Sequence, residues 1–214
     1  MDLQQLRRLV RDGETDKVEF KRKVRHPEKI VRELVAFANT TGGHLFIGVD
    51  DDRSIPGVKF AEEELYVMER AIKELCRPVI SYRADIIHLT EIKAVIHIQV
   101  DPGIKKPYYA VENKNQRWGK AYVRVDDKSL QASRELCKIL RGEKVSQHNG
   151  FVYGEHEKLL MNYLGEHDHI TLSQYTKSTG LSPKNASDIL VRMTLSNVLR
   201  IIPREKEDWF EFVG

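Results

Sequence analysis

Three carboxylates in the first quarter of the chain could form a metal site: Glu14, Glu19 and Asp50. Glu19 lies on the polar side of a predicted strand, and Asp50 follows the apolar run Leu45–Val49, which is typical of a central strand. If the two strands are neighbours, the three carboxylates converge at one end of a sheet. Carboxylate oxygens suit Mg²⁺ or Mn²⁺, and such an ion would activate water against a phosphodiester.

Lys21 extends this hypothesis, because it lies two residues beyond Glu19 on the same side of the strand. Its ammonium would stabilise the charge that develops on the attacked phosphate. A purely structural interpretation fits the same residues. Glu19 stands between Lys17 and Lys21, so the strand face can neutralise itself, and Asp50–Asp52 is typical of a turn. The residues alone leave both interpretations open.

Basic and aromatic residues mark two further segments that could bind nucleic acid. The first is the run Lys21–Arg25, and the second is the stretch 105–124, where tyrosine and tryptophan alternate with lysine and arginine. Rings stack on bases while cations neutralise phosphates. The residues expected to contact nucleic acid here are Lys21, Arg22, Lys23, Arg25, Lys105, Lys106, Arg117, Lys120 and Arg124. An ordinary solvated surface would explain the first run, and Tyr122 also fits a strand core.

The charge balance places the favourable field for a polyanion on the first part of the chain. The formal net charge of the 214 residues is +3. Up to Asn149 there are 28 lysines and arginines against 23 aspartates and glutamates, whereas the remainder has 7 against 9. A nucleic-acid partner would therefore be attracted mainly to the first part.

Apolar periodicity predicts an α+β domain over residues 1–145, with a mixed sheet and flanking helices. The predicted helices are Leu3–Val10, a helix that begins at Pro27 and ends at Asn39–Gly43, Glu62–Leu75 and Ser133–Leu140. The predicted strands are Lys17–Lys21, Leu45–Val49, Ser81–Leu89, Ala94–Val100, Pro107–Val111 and Lys120–Val125. The polar, glycine-containing stretch Arg141–Gly150 is the predicted linker.

Residues 151–214 predict a small winged helix-turn-helix domain. Its helices are expected around Leu159–Leu164, over Leu172–Ser178 and from Ser182-Pro183, which combines an N-cap with a proline at the first helical position. Two strands, Val198–Ile202 and Trp209–Val213, follow as the wing. The third helix is the recognition helix in this arrangement, and the residues expected to bind DNA are Lys184, Asn185 and Arg192. Acidic residues in the wing instead favour a protein-docking role.

Composition excludes several classes of protein. No apolar run approaches the roughly 18–20 residues of a membrane span, and the N-terminus lacks the pattern of a secretory signal. Cys76 and Cys137 are the only cysteines, so neither a disulfide framework nor a zinc cluster is encoded. A phosphate-binding G-x-x-x-x-G-K-[ST] loop is missing, which argues against nucleotide hydrolysis. We expect a cytoplasmic protein.

Four ordered blocks of the first domain resemble one known family. They are Glu14–Lys21, Ala36–Gly43, Leu45–Asp51 with Ile55–Gly57, and Lys106–Tyr109 with Gly119–Val125. Together they resemble the Schlafen-type core, also called the AlbA-like DNA-binding domain, over about residues 1–140. Bacterial and archaeal members often carry a C-terminal winged helix, as this sequence also predicts. The zinc-binding cysteines and histidines of animal Schlafens have no counterpart here.

The resemblance implies two different functions. Bacterial members are described as DNA-binding proteins or transcriptional regulators. Some animal relatives are endoribonucleases that use three acidic residues, and the matching positions here are Glu14, Glu19 and Asp50. Our leading hypothesis is a DNA-binding regulator or accessory factor, not an enzyme, that works as a homodimer and binds DNA in preference to RNA. The alternatives are an endoribonuclease dependent on Mg²⁺ or Mn²⁺, and a protein-interaction module.

Overall fold

A computed structural model describes residues 1–142 and 154–213 of the chain. They fall into two compact units, Met1–Gln131 and Ala132–Gly214. Most of the predicted linker Arg141–Gly150 lies outside the described residues. In the described part of the chain, no helix combines the length and the apolar character that crossing a bilayer requires.

The first unit contains three helices and eight strands. The helices are α1 (Leu3–Asp12), α2 (Pro27–Asn39) and α3 (Ala61–Leu75). The strands are β1 (Val18–Lys21), β2 (Gly43–Ile47), β3 (Cys76–Arg77), β4 (Tyr82–Thr90), β5 (Lys93–Val100), β6 (Tyr109–Ala110), β7 (Tyr122–Val125) and β8 (Lys128–Gln131). The predicted helices and strands before residue 101 are therefore confirmed to within a few residues.

A four-stranded mixed sheet in the order β1-β2-β5-β4 forms the centre of this unit. β1 and β2 are parallel, and the other neighbours are antiparallel. Successive side chains of a strand point to opposite faces. Leu6 and Val10 of α1 therefore pack on one face with Phe20 and Phe46, while α2 and α3 cover the opposite face. This mixed sheet with flanking helices confirms the α+β class.

The register of the parallel pair decides where the predicted site residues point. Glu19 lies beside Leu45, and Lys21 lies beside Ile47. Leu45 and Ile47 belong to the core that α2 covers. The polar side of β1 therefore faces the helix α2, and Glu19 on this side is buried while Lys21 stays 32% exposed.

The turn between α2 and β2 requires two glycines. Gly42 has a φ of +82°, in the left-handed region that favours glycine, and its N–H bonds to the carbonyl of Phe37 at 2.9 Å. A Cβ on Gly43 would lie 2.3 Å from the ring of Phe37. The block Asn39–Gly43 is thus explained by ending a helix and starting a buried strand.

The strands after residue 106 lie outside the four-stranded sheet. β6 pairs with β3, and β7 pairs with β8, a strand that the sequence pattern did not predict. Between them, Ala110 and Lys120 form an isolated bridge that closes the loop 111–119. Asn39 holds this region on α2, because its buried side chain donates to the carbonyls of Tyr108 (2.9 Å) and Tyr122 (2.8 Å).

The second unit contains four helices and two strands among its described residues. They are α4 (Arg134–Arg141), α5 (Glu155–Glu166), α6 (Leu172–Thr179), α7 (Pro183–Leu195), β9 (Leu199–Ile202) and β10 (Trp209–Phe212). β9 and β10 are antiparallel, and Ile170 bridges to Phe210 beside them. Leu160, Tyr175 and Leu190 are among the fully buried residues of its core.

α4 groups with the second unit, although the sequence pattern placed it at the end of the first domain. Its Lys138 lies 2.8 Å from Asp188 of α7, and Ser187 of α7 donates to Glu135 at 2.6 Å. The partners of α4 lie about fifty residues further along the chain, so local periodicity could not identify them.

Candidate nucleic-acid interface

A buried ion-pair network surrounds Glu19. Its side chain is only 7% exposed, and one oxygen lies 2.9 Å from the guanidinium of Arg124, while the other pairs with Lys21. Arg124 is 1% exposed; it also pairs with Glu33 at 2.9 Å and donates to the carbonyl of Thr15 at 2.7 Å. A buried carboxylate needs such partners to offset its desolvation. Glu19 is therefore neutralised by neighbouring cations.

Glu14 stabilises the open edge of β1. Its carboxylate accepts the N–H of Phe20 at 2.8 Å, on the side of β1 that no strand of the sheet covers. An edge strand presents unpaired backbone groups that need such a partner. Desolvation where the carboxylate lies against the strand, together with the nearby charge of Glu19, raises the pKa of Glu14.

Asp50 pairs with a different cation. Its carboxylate lies 2.9 Å from the guanidinium of Arg22, and it also accepts the N–H of Asp51 at 3.1 Å. Among residues 1–142 and 154–213, no three histidine, cysteine, aspartate or glutamate side chains are placed to hold a metal ion.

The expected Mg²⁺ or Mn²⁺ site at Glu14, Glu19 and Asp50 is therefore not formed in this structure. The physical reason is that Glu19 and Asp50 each pair with a cation of the protein. The catalytic role expected for Lys21 has no support for the same reason, since its ammonium binds Glu19 and the carbonyl of Phe20, 3.0 Å away.

Besides Lys21, which pairs with Glu19, three cations expected to bind nucleic acid are instead engaged within the protein. Arg124 is the buried partner of Glu19. Lys106 donates to the carbonyl of Thr40 at 2.6 Å, beyond the end of α2, and burial lowers its pKa. Arg192 is half-buried and pairs with Glu157, which is buried. Each of these three cations already has an internal partner, and their expected contact with phosphate or bases stays a prediction.

The other predicted contact residues remain at the surface. Arg22 is 63% exposed in spite of its pair with Asp50. None of the remaining ones forms an ion pair with a described residue. They are Lys23, Arg25, Lys105, Arg117 and Lys120 in the first unit, and Lys184 and Asn185 in the second.

A groove of about 250 Å³ lies between α2 and the loop 111–119. Trp118 forms part of its wall and is 73% exposed, and the guanidinium of Arg117 lies 5.2 Å from the centre of its ring. On the helix side, Arg32 lies over the ring of Tyr122 at 5.8 Å. Lys120 also lines the groove. Aromatic faces beside cations are suited to stacking bases and neutralising phosphates.

Some residues of this groove were not predicted from the sequence. They are Glu28, Glu112 and Gln116. The sequence does contain a signal for Glu28, because Glu28 and Arg32 are four residues apart on α2 and therefore share a side of the helix. The other two belong to a loop whose position depends on the bridge between Ala110 and Lys120.

A comparison with known protein families agrees with the resemblance in the first unit. The family model described as Schlafen, AlbA_2 matches residues 14–133, more than half of the chain. A crystal structure of the DIP2311 protein from Corynebacterium diphtheriae matches with 17% identity and a TM-score of 0.40. The match covers 70% of this chain and 29% of that one, so this chain spans under a third of its length.

Proposed function

The chain belongs to the Schlafen, AlbA_2 family, and on that premise we propose that it binds nucleic acid as a DNA-binding regulator or accessory factor. One observation carries the proposal. Two exposed cations that form no ion pair with a described residue, Arg117 and Lys120, adjoin a groove that contains an exposed tryptophan. That combination supplies both charge neutralisation and base contact.

The basic surface follows the start of α2. Lys23 and Arg25 precede the helix and are exposed, and Lys29 is exposed in its first turn. Lys29 and Arg32 are three residues apart, so they neighbour each other on one side of the helix. Arg32 lines the groove. The phosphate backbone of a nucleic acid bound along Lys23, Arg25 and Lys29 would therefore reach the groove that contains Trp118.

We propose that the second unit is a winged helix whose recognition helix is α7. The succession of α5, the Ile170 bridge, α6, α7 and the β9–β10 hairpin supports this, because it is the order of that motif. The hydroxyl of Ser182 caps α7 by accepting the N–H of Asn185 at 3.3 Å. Lys184 and Asn185 are exposed in the first turn, where winged helices contact base edges in the major groove. Dimerisation stays a prediction.

The salt dependence of binding tests the proposal. The full chain should bind labelled DNA with an affinity that falls steeply as salt rises, since each neutralised phosphate releases counterions. Arg25→Ala/Lys29→Ala should weaken binding and reduce the slope of log affinity against log salt by about one for each phosphate that is no longer neutralised.

The matched control is Arg7→Ala/Arg8→Ala. Arg7 and Arg8 are exposed on α1, across the sheet from α2, so this variant should bind as the unchanged protein does. Salt-independent association, or an equal loss of affinity in both double variants, would contradict the proposed surface. Salt-independent association would instead support the protein-interaction hypothesis.

A further inference from the structure

We infer that the groove beside Trp118 holds one unpaired base, so that the nucleic acid bound by the first unit is single-stranded at this point. This inference rests on the proposed nucleic-acid binding and specifies its substrate class. The structural basis is the accessibility of Trp118, a residue that is 73% exposed. In a duplex the faces of the bases are covered by their neighbours, whereas single-stranded bases can stack on an aromatic side chain.

The size of the groove fits one base. Its volume of about 250 Å³ is below the roughly 300–1,000 Å³ of pockets for drug-sized ligands. The ring of Trp118 and that of Tyr122 supply apolar surface in this space, and Ala110 and Val111 also line it. A longer ligand would have to continue outside the groove.

The charges around the groove separate the base from its phosphates. Two carboxylates, those of Glu28 and Glu112, line the groove and would repel an anion placed inside it. The two carboxylates can instead accept hydrogen bonds from a neutral base, as a carboxylate does from the amino group of cytosine. The amide of Gln116 can donate hydrogen bonds to a base or accept them from it. The phosphates would lie outside, near Arg117 and Lys120, which are exposed.

The loop that carries Trp118 is held in place before any ligand binds. Ala110 and Lys120 exchange two backbone hydrogen bonds of 2.8 and 2.9 Å at its base. Arg77 donates to the carbonyl of Lys114 at 3.1 Å, further along the loop. A Cβ on Gly119 would lie 2.2 Å from the carbonyl oxygen of Ala110, so only glycine permits this approach. A preorganised aromatic wall loses little entropy on binding.

Tryptophan fluorescence provides a direct test, because Trp118 and Trp209 are the only two tryptophans. In the full chain carrying Trp209→Phe, the indole signal comes from Trp118 alone. The probes are a single-stranded oligothymidylate, an oligonucleotide of the same length with abasic sugars, and the matching duplex. We expect the oligothymidylate to quench Trp118 and to bind about tenfold or more tighter than the abasic strand, given the usual contribution of one stacked base.

The variants separate stacking from charge. Trp118→Ala should lose the preference for the oligothymidylate over the abasic strand, while its salt slope stays unchanged. Trp118→Phe should restore most of the preference, because a smaller ring still stacks. Truncating so exposed a side chain should leave the thermal unfolding midpoint almost unchanged.

Two failures are distinguishable. Equal, salt-dependent binding of the oligothymidylate, the abasic strand and the duplex, with no effect of Trp118→Ala, would overturn the single-strand inference and leave the proposed function standing. If the chain binds none of the three probes at low salt, both the proposed function and this inference are wrong.

Discussion

The guanidinium of Arg124 lies 2.9 Å from the carboxylate of Glu19, although 105 residues separate them in the chain. The pair joins β7 to the edge strand β1 on the side of the sheet that α2 covers. Both residues were candidates for function by type and position. In the structure they neutralise each other, and the same guanidinium also pairs with Glu33 of α2.

Removing this guanidinium should therefore affect folding before binding. Arg124→Ala leaves the carboxylates of Glu19 and Glu33 without their shared cation, so we expect the free energy of unfolding to fall by about 3–5 kcal/mol. Urea denaturation followed by circular dichroism measures this. Lys120→Ala, which alters an exposed cation at the start of the same segment, should change stability by less than about 0.5 kcal/mol. If Arg124→Ala is as stable as the unchanged protein but binds nucleic acid more weakly, Arg124 is a contact residue for nucleic acid.

A histidine pair within the central sheet should make the fold sensitive to acid. Nδ1 of His44 lies 2.9 Å from Nε2 of His97, and His97 is 2% exposed. Burial, with a smaller contribution from His44, lowers the pKa of His97 to about 4. The unfolded chain takes up this proton near pH ~6.5. The contribution of the neutral, buried His97 to the free energy of unfolding is therefore complete above about pH 6.5 and is lost as the pH falls towards 4.

Thermal unfolding as a function of pH measures the effect. The unchanged protein should lose on the order of 3 kcal/mol from this group between about pH 6.5 and 4, and His97→Gln should show a correspondingly flatter profile. His88→Gln changes an exposed histidine of β4 and should leave the profile as it was. A His97→Gln profile as steep as that of the unchanged protein would disprove the assignment.

Asp208 is expected to destabilise the second unit at neutral pH. Its side chain is buried, and desolvation raises the pKa of its carboxyl group above the usual value. A raised carboxyl pKa means that stability is present at low pH and is lost as the pH rises through the folded-state value. Asp208→Asn should therefore unfold at a higher temperature than the unchanged protein at about pH 7.

The corresponding comparison is Asp168→Asn, which alters an exposed carboxylate of the same unit. This variant should show no gain in the unfolding midpoint at neutral pH. A lower midpoint for Asp208→Asn at that pH would mean that the ionised carboxylate contributes favourable hydrogen bonds that outweigh its desolvation.

The proposed recognition helix can be tested separately from the groove. Lys184→Ala should weaken duplex DNA binding about equally for all sequences and reduce the salt slope by about one. Asn185→Ala should cost about 1–3 kcal/mol on a preferred sequence and little on others. Electrophoretic mobility shifts with duplexes measure both, and Lys177→Ala on α6 is the control. Effects of Lys184→Ala and Asn185→Ala no larger than that of the control would remove α7 from the DNA interface.

Several features of the fold were predictable from local sequence alone. Pro27 and Ser182-Pro183 marked two helix starts correctly, because proline and serine favour those positions through their own backbone and side-chain geometry. The alternation of Val18, Glu19 and Phe20 predicted a strand with two unlike faces. These signals involve residues within a few positions of each other, so no knowledge of the rest of the chain was needed.

The tertiary structure alone decided which charged residues are available to a ligand. Lys120 and Arg124 are four residues apart and equally plausible as phosphate contacts, yet one is exposed and the other is buried against Glu19. Whether a cation is free depends on which carboxylates the fold brings within a few ångströms of it, since charge attraction and desolvation act across space and not along the chain. The sequence by itself determined the elements and the residue types, and the long-range packing assigned each charge to the interior or to the surface.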